Sequence, residues 1–487
     1  MLLVFHSIAY LVALEGLLMT VCGIASWYPL RDPADAWLPL MLCGLGTLLF
    51  AAILWGVTPL RKTRREITRR DGIAIVAFGW LIACLLGAVP LLLSKAVPTY
   101  AAAFFEASSG LTTTGSTVIA HPEDVARGIL LWRATTHLLG GLGVLVLLVA
   151  ILPLAGAGGS QIVRAEAPSS GDRVEPRMTS TAKVLWATYL GLTALLIVCL
   201  WLAGMGIFDA ICHAFAAIST GGFSTHAESI EFFHSRAIDI ILTVFMLLGA
   251  LNFAHHYRAL RGDGLPHLRH RETLFFLGTL GTGILLLTLF LRLFSPAYAD
   301  ASLLHILRHT SFNAISLAST TGFSNTDYGT WPAIAQYLLL LLFVIGGVPG
   351  STAGGLKSNR VYVLLQSIRT QVRLFLQPAA VLPVRQERKV IPPASLLAIF
   401  AFILLFALTI LVGTLVLLPV CPDFATAASA AAASLANTGP GFSAVGPSFN
   451  YAFFPAFHQV FLALLMIAGR LEILTLLVLF LPSFWRR

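Results

Sequence analysis

Four short clusters of serine, threonine and glycine recur along the 487-residue sequence, roughly 100 residues apart. Aligned on a Thr-Gly pair, the clusters have their glycines at Gly115, Gly221, Gly322 and Gly439. Glycine reaches backbone conformations that turn consecutive carbonyls toward one side without steric cost. In K⁺ channels, rings of backbone carbonyls replace the hydration shell of the ion. The four clusters therefore predict a cation pathway lined by four loops around a pseudo-fourfold axis.

Each predicted loop contributes three consecutive carbonyls, with threonine hydroxyls as further oxygen donors. The alternative is that the small residues only ease helix packing in a membrane, which explains one such cluster more readily than four in the same register. The short helix before each loop would direct its partially negative C-terminal end toward a central cavity. The predicted K⁺-binding residues are Thr113, Thr114, Gly115, Ser219, Thr220, Gly221, Thr320, Thr321, Gly322, Asn437, Thr438 and Gly439.

The composition indicates a membrane protein. Hydrophobic residues make up 57% of the chain and charged residues 11%, whereas soluble domains carry about 25% charged residues. Ten apolar segments are near the ~20 residues that a helix needs to cross a bilayer. Their approximate limits are 3–28, 37–59, 72–97, 126–154, 182–205, 235–257, 272–294, 332–366 (interrupted), 393–419 and 454–482.

The formal net charge of +9 does not indicate nucleic-acid binding, because the basic residues cluster after every second apolar segment. Lysine and arginine collect on the cytoplasmic side of membrane proteins. Anionic lipid headgroups and a cytosolic partner are possible contacts for them. Both termini and four loops are therefore predicted to be cytoplasmic, the loops at 60–71, 155–181, 258–271 and 357–392.

Four further apolar stretches lie on the predicted external side, at 99–118, 206–224, 302–324 and 422–442. Each is too short to cross, so we expect re-entrant segments, which are tolerated only where they line a protein-enclosed or wet cavity. The predicted fold class is an all-α integral membrane protein with four pseudo-symmetric helix–pore loop–helix repeats and an N-terminal pair of transmembrane helices. The expected division is 1–70 for the helix pair and 71–180, 181–270, 271–390 and 391–487 for the repeats.

Two features are candidates for barriers to the passage of ions below the four loops. The glycine-rich segment 346–355 interrupts a long apolar span, and Arg470 stands within the last span, where a charge is costly and usually functional. The alternatives are a simple kink between packed half-helices and a structural ion pair. For that pair Glu472 is poorly placed, because positions i and i+2 do not face each other on a helix. Glu106 is either electrostatic support for the ion or a hydrogen-bonded cap.

No arrangement of residues predicts catalysis. The six cysteines are scattered without metal-ligand spacing and fit small buried hydrophobes. His213, His305 and His309 form no metal-like constellation and are expected to be structural or interfacial. No Ser/His/Asp, Cys/His or paired-carboxylate arrangement stands out, so the sequence predicts a transporter and not an enzyme.

The whole chain resembles the Trk/Ktr/HKT superfamily of K⁺ transporters, most closely the bacterial Trk-type transmembrane K⁺ uptake subunit. The resemblance rests on the four loops, on residues 346–357, on the segment 469–472 and on the segment 482–485. Pro349 and Ala353 depart from the small residues or glycine usual in the family's intramembrane gating loop, whereas Pro440 is normal for the fourth repeat. The resemblance implies gating by Gly346, Gly347, Gly350, Ser351, Thr352, Gly354, Gly355 and Arg470.

The resemblance also implies K⁺ uptake across the bacterial cytoplasmic (inner) membrane. It implies a homodimer with one pore per subunit and a cytosolic nucleotide-binding regulatory subunit. K⁺ is then the transported ion, and no covalent cofactor is expected. Glycine at position 115 is the pattern that favours K⁺ over Na⁺ in this superfamily.

Two mechanisms stay open for such a transporter. One is a gated, channel-like K⁺ pore driven by the membrane potential. The other is a Na⁺- or H⁺-coupled symporter, which normally has carboxylates near the membrane midplane and an inverted repeat. The predicted repeats are parallel, and the acids within predicted spans are few, such as Glu15 and Glu472. The sequence therefore favours the channel-like pore.

Overall fold

The computed structural model describes residues 2–58, 68–154, 178–386 and 389–485. Within these ranges the chain is helices and loops, apart from one antiparallel ladder of two short strands, β1 (Arg385–Gln386) and β2 (Lys389–Val390). The predicted all-α fold class is confirmed. Basic residues of 60–67 and 155–177 and the terminal Arg486 and Arg487, on which part of the predicted orientation depends, lie outside the described residues.

The helices follow the predicted order of an N-terminal pair and four helix–loop–helix units. The pair is α1 (Leu2–Trp27) and α2 (Ala34–Val57). Unit 1 comprises α3 (Arg69–Leu93), α4 (Tyr100–Leu111) and α5 (Arg127–Leu154). Unit 2 comprises α6 (Met178–Leu202), α7 (Ile207–Ile218), α8 (Arg236–Ala250) and α9 (Phe253–Leu260). Unit 3 comprises α10 (Arg271–Phe294), α11 (Leu303–Ala318), α12 (Ala333–Ile345) and α13 (Ser358–Leu376), and unit 4 comprises α14 (Pro393–Leu417), α15 (Phe424–Ala436), α16 (Ala456–Arg470), α17 (Leu474–Leu477) and α18 (Pro482–Trp485).

Six unbroken helices in the described ranges are long and apolar enough to cross a membrane: α1, α2, α3, α6, α10 and α14. Two predicted spans are broken. The chain bends by 105° between α8 and α9 and by 106° after α16. At the first break, Asn252 Oδ1 accepts the amide of Ala254 at 2.9 Å, so its side chain caps the start of a new helix. The spans predicted at 235–257 and 454–482 as continuous helices are therefore corrected to broken ones.

The four helices that precede the Ser/Thr/Gly loops are too short to cross a membrane. The helices α4, α7, α11 and α15 contain 12, 12, 16 and 13 residues. At 1.5 Å per residue, none reaches the ~30 Å of a bilayer core. Three of them begin at a side-chain cap, from Thr99, Ser302 or Asp423, which fixes the point where the helix starts. These are the helices of the predicted re-entrant segments.

Each of these four helices packs against its own unit and against the helix that follows the loop of the preceding unit. Helix α7 contacts α5, α11 contacts α8, and α15 contacts α12. Helix α4 of the first unit contacts α16 of the fourth unit. The four units thus form a ring in pseudo-fourfold order. Helix α1 packs against α2, α3 and α5, on the outer side of unit 1.

Candidate functional site

The chain after each short helix has the same backbone conformation in all four units. The first residue of each loop tripeptide is not glycine, yet its φ of +53° to +56° is left-handed: Thr113, Thr220, Thr320 and Asn437. The third residue is a glycine with φ of +82° to +95°: Gly115, Gly222, Gly322 and Gly439. Left-handed threonine is strained, and strain of this kind clusters at functional sites. The repetition of one strained conformation singles out these four loops.

The hydrogen bonds of the middle residues confirm which positions are equivalent. Each middle amide donates to the carbonyl five residues earlier, at 2.8–3.0 Å: Thr114 to Ser109, Gly221 to Ala216, Thr321 to Ser316 and Thr438 to Ala433. The loop tripeptides are therefore 113–115, 220–222, 320–322 and 437–439.

The alignment on the Thr-Gly pair is wrong by one residue in the second unit. Gly222 is the equivalent of Gly115, Gly221 holds the middle position, and Ser219 caps the end of α7. The error arose because two glycines stand side by side, and either of them fits the pattern. The positive φ of Gly222 and the hydrogen bond from the Gly221 amide to the Ala216 carbonyl distinguish them.

The four tripeptides approach one another closely in cyclic order. A Cβ atom on the third-position glycine would collide with, or press closely on, the middle carbonyl oxygen of the next tripeptide. The pairs are Gly115 with Gly221, Gly222 with Thr321, Gly322 with Thr438 and Gly439 with Thr114. Only glycine leaves room for this approach. The middle carbonyl oxygens thus follow one another around a closed ring of four.

Behind the first tripeptide lies a buried ion pair. Glu106 Oε1 is 2.7 Å from Nη2 of Arg133, on α5. Glu106 also accepts hydrogen bonds from the Val118 amide and the Thr117 hydroxyl, both at 2.9 Å. The guanidinium of Arg133 stacks 4.1 Å from the centre of the Phe223 ring, which follows the second tripeptide. Glu106 is thus a hydrogen-bonded anchor. Arg133 joins two units, a role that the sequence did not predict; the available signal was an arginine within the apolar part of a helix.

The three histidines considered in the sequence have hydrogen-bonding surroundings. His213 Nε2 lies 3.0 Å from Ser224 Oγ, just after the second tripeptide. His309 Nδ1 lies 2.9 Å from Tyr298 Oη, and its ring is 4.4 Å from that of His305. Within the described parts of the chain, no group of three or more His, Cys, Asp or Glu residues is arranged to hold a metal ion.

The glycine-rich loop, residues 346–355, lies against the inner ends of the short helices. Thr352 Oγ1 donates to the carbonyl of Ile218, the last residue of α7, at 2.9 Å. The Gly355 amide donates to the carbonyl of Ala436, the last residue of α15, also at 2.9 Å. Helix ends leave such carbonyls without intrahelical partners. The loop therefore binds where the short helices end, directly below the tripeptides.

Arg470 ends α16 beside this loop. Its Nη1 donates to the carbonyl of Thr352 at 2.8 Å, and its Nη2 donates to the carbonyl of Gly140, on α5, at 3.4 Å. The loop itself reaches the third tripeptide through the Gly354 amide, which donates to Thr320 Oγ1 at 2.7 Å. The two predicted barriers thus contact each other and together reach all four units.

Pro349 lies where the glycine-rich loop meets the break between α8 and α9. The amide of Val348 donates to the carbonyl of Ala250 at 3.0 Å, and the carbonyl of Gly350 accepts the amide of Phe253 at 3.1 Å. The broken helix and the loop therefore provide hydrogen-bond partners for each other's backbone amides and carbonyls. Proline lacks an amide donor, and it occupies the one position between these two hydrogen bonds.

Helix α9, which supports the glycine-rich loop beside Pro349, contains a histidine that contacts a second histidine outside the helix. His267 Nε2 lies 3.1 Å from His256 Nδ1. Burial, followed by the neighbouring imidazoles of His256, His255 and His270, lowers the pKa of His267 to about 3. His267 is therefore neutral at neutral pH, and this contact is a hydrogen bond between uncharged rings.

Glu472 is separate from Arg470, as its spacing predicted. Its carboxylate Oε2 lies 3.1 Å from Nη2 of Arg360, on α13, whose guanidinium also stacks 3.7 Å from the centre of the Phe402 ring. This ion pair joins the chain after α16 to α13 and α14. The guanidinium of Arg470 is engaged with backbone carbonyls instead.

The family profile of TrkH, described as a cation transport protein, matches residues 45–487. The chain is 37% identical over 443 residues to the Trk system potassium uptake protein TrkH of Escherichia coli K12, covering 90% of each protein. It is 35% identical over 492 residues to the protein of that name from Vibrio parahaemolyticus, covering 99% of each. The crystal structure of the potassium transporter TrkH from Vibrio parahaemolyticus matches with a TM-score of 0.88 at 34% identity, covering 99% of this chain and 100% of that one.

Proposed function

The chain belongs to the TrkH family of cation transport proteins, and we propose that it takes up K⁺ across the cytoplasmic membrane through a channel-like pore. As a member of a transport family, it is a transporter and not an enzyme. Two relatives that match over 90% and 99% of their length are named potassium uptake proteins. Their names support K⁺ as the substrate.

The observation that carries the proposal is the cyclic contact of the four loop tripeptides. Four equivalent loops with the same alternation of φ surround one axis. Rings of carbonyl oxygens around an axis replace the water that K⁺ loses on entering a pore. In this proposal K⁺ passes along the axis and binds to the carbonyls of the tripeptides, above all the middle ones of Thr114, Gly221, Thr321 and Thr438.

The gate of the proposed pathway is the glycine-rich loop together with Arg470. Their hydrogen bonds to Ile218, Ala436 and Gly140 hold them below the tripeptides. Opening requires that these bonds break. A cytosolic nucleotide-binding subunit and the second copy of a homodimer would control that step, and the word "system" in the relatives' names is consistent with further subunits.

A Na⁺- or H⁺-coupled symporter is the second candidate. Glu472 pairs with Arg360, and Glu15 belongs to α1, which packs on the outer side of unit 1. The first carboxylate is thus engaged in an ion pair, and the second belongs to the N-terminal helix pair and not to the four loop-bearing units. This arrangement favours the uncoupled pore.

The test of K⁺ binding is the thermal stability of the purified protein in different chloride salts at equal ionic strength. An ion that binds only the folded protein raises its stability in proportion to the logarithm of the ion concentration. We expect Tm to rise with K⁺ and Rb⁺ and to stay at the choline value with Na⁺. Equal Tm values in all four salts would contradict the proposed filter.

A further inference from the structure

The carbonyl oxygen of Gly439, the third residue of the fourth tripeptide, accepts two side-chain hydrogen bonds. Ser116 Oγ donates to it at 2.9 Å. Tyr451 Oη also donates to it at 2.9 Å. A backbone carbonyl oxygen has two lone pairs. Both acceptor positions of Gly439 are therefore taken by protein donors.

The equivalent carbonyls of the other units differ from that of Gly439. In the parts of the chain that the structure describes, no hydrogen bond reaches the carbonyl oxygens of the third residues Gly115, Gly222 and Gly322. The asymmetry begins in the sequence, because Ser116 stands where the second and third units have Phe223 and Phe323. Phenylalanine has no donor, so only the first loop supplies a hydroxyl at this position.

Both donors are fixed in place. Tyr451 and Ser116 are each 2% exposed. The Tyr451 amide donates to the carbonyl of Thr117 at 2.8 Å, and its ring packs 5.4 Å from the ring of Phe105. Neither hydroxyl can turn toward solvent without leaving a buried polar group unpaired, which costs about 1–3 kcal/mol. The two hydrogen bonds therefore persist while the loops keep this conformation.

We propose that the outermost coordination site of the pathway offers three backbone carbonyls instead of four, the missing one being that of Gly439. This inference rests on the proposed function, because the site binds K⁺ only if the four tripeptides form the pathway. An ion at this level keeps water on the side of unit 4, where no protein oxygen replaces its hydration shell. Selectivity depends on the number and field of the coordinating carbonyls. The outer site consequently binds K⁺ more weakly than the closed middle ring of four, and selection occurs at the middle ring.

The double variant Ser116→Ala, Tyr451→Phe removes both donors with little change of shape. The matched control is Ser434→Ala, Tyr328→Phe, because those two buried hydroxyls have no hydrogen-bond partner among the described residues. Crystals of the intact protein with Rb⁺ report occupancy through anomalous scattering. We expect a strong peak at the middle ring and a weak one at the outer level in the wild type and the control. The double variant should strengthen the outer peak.

Uptake into vesicles gives a second readout. The external K⁺ concentration for half-maximal uptake should fall severalfold in the double variant and stay unchanged in the control. An outer Rb⁺ peak as strong as the middle peak in the wild type would overturn the inference. An unchanged or raised half-saturating concentration in the double variant would also overturn it, since Ser116 and Tyr451 would then only brace the loop.

Failure of the proposed function is read separately. It would appear as a wild-type protein that takes up Na⁺ as readily as K⁺. The relative strengths of the two Rb⁺ peaks would still decide the number of coordinating carbonyls in that case.

Discussion

The guanidinium of Arg470 donates a 2.8 Å hydrogen bond to the carbonyl oxygen of Thr352, 118 positions away in the sequence. This contact joins the end of α16 to the glycine-rich loop, directly below the ring of tripeptides. Arg470 is only 9% exposed, so its charge is weakly screened and repels cations more strongly than a surface charge does. Arg470 thus contacts the loop, and in the proposed function it also opposes the passage of an ion.

Replacing Arg470 by alanine should raise the basal cation flux of vesicles that carry the protein. The substitution removes both the positive charge and the hydrogen bonds to Thr352 and Gly140. Arg470→Lys is the matched variant, because it keeps the charge and loses the planar pair of donors. We expect an intermediate flux for the lysine variant. A flux through Arg470→Ala equal to that of the wild type would remove this residue from the barrier.

Thr352→Val should also raise the basal flux. Valine keeps the shape of threonine but cannot donate to the carbonyls of Ile218 and Gly249, now bonded at 2.9 and 3.2 Å. Leaving a buried acceptor unpaired costs about 1–3 kcal/mol, which shifts the loop toward release. Thr273→Val is the control, since that buried hydroxyl has no hydrogen-bond partner in the described ranges. Equal fluxes for both variants would show that the gate does not depend on this contact.

Gly115→Ser should weaken the preference for K⁺ over Na⁺ in reconstituted flux. Gly115 has φ of +87°, and a Cβ atom there would collide with the carbonyl oxygen of Gly221. The serine must therefore displace one carbonyl of the middle ring. The control is Gly281→Ser on α10, where an added Cβ meets open space. An unchanged K⁺/Na⁺ ratio in Gly115→Ser would exclude Gly115 from the filter.

Glu106→Gln should lower both the thermal stability and the K⁺ preference. The substitution leaves the guanidinium of Arg133 without its buried counter-charge, and breaking a buried pair in this way costs about 3–5 kcal/mol. The chain after the first tripeptide also depends on Glu106, which accepts hydrogen bonds from Val118 and Thr117. The control is Asp263→Asn, which breaks a more exposed ion pair with Arg258 and should change little. Wild-type Tm and selectivity in Glu106→Gln would refute the anchoring role.

The sequence predicted the elements but not their closest contacts. The long helices, the short helices and the four loops followed from apolar lengths and from a repeated Ser/Thr/Gly pattern, which are local properties of the chain. The position of Gly222 as the third residue of the second tripeptide did not follow from this pattern. The positive φ of Gly222 accompanies its close approach to Thr321, which lies in another unit.

The helix breaks and the buried ion pair of Glu106 and Arg133 also depend on contacts between residues that are far apart in the sequence. The break after Ala250 is stabilised by backbone hydrogen bonds to Val348 and Gly350, about a hundred residues later. Arg133 gained its role only from the approach of Glu106 and Phe223 in the folded chain. The spacing of residues along the sequence does not predict such contacts.

Ion flux into liposomes that carry the purified protein tests the central claim most directly. A K⁺ gradient and, separately, a Na⁺ gradient are imposed, and a proton ionophore reports the movement of charge. We expect flux that follows the electrochemical gradient of K⁺ with no Na⁺ or H⁺ gradient present, and much smaller flux under the Na⁺ gradient. Uphill movement of K⁺ driven by Na⁺ or H⁺, or equal flux of K⁺ and Na⁺, would contradict a selective channel-like pore.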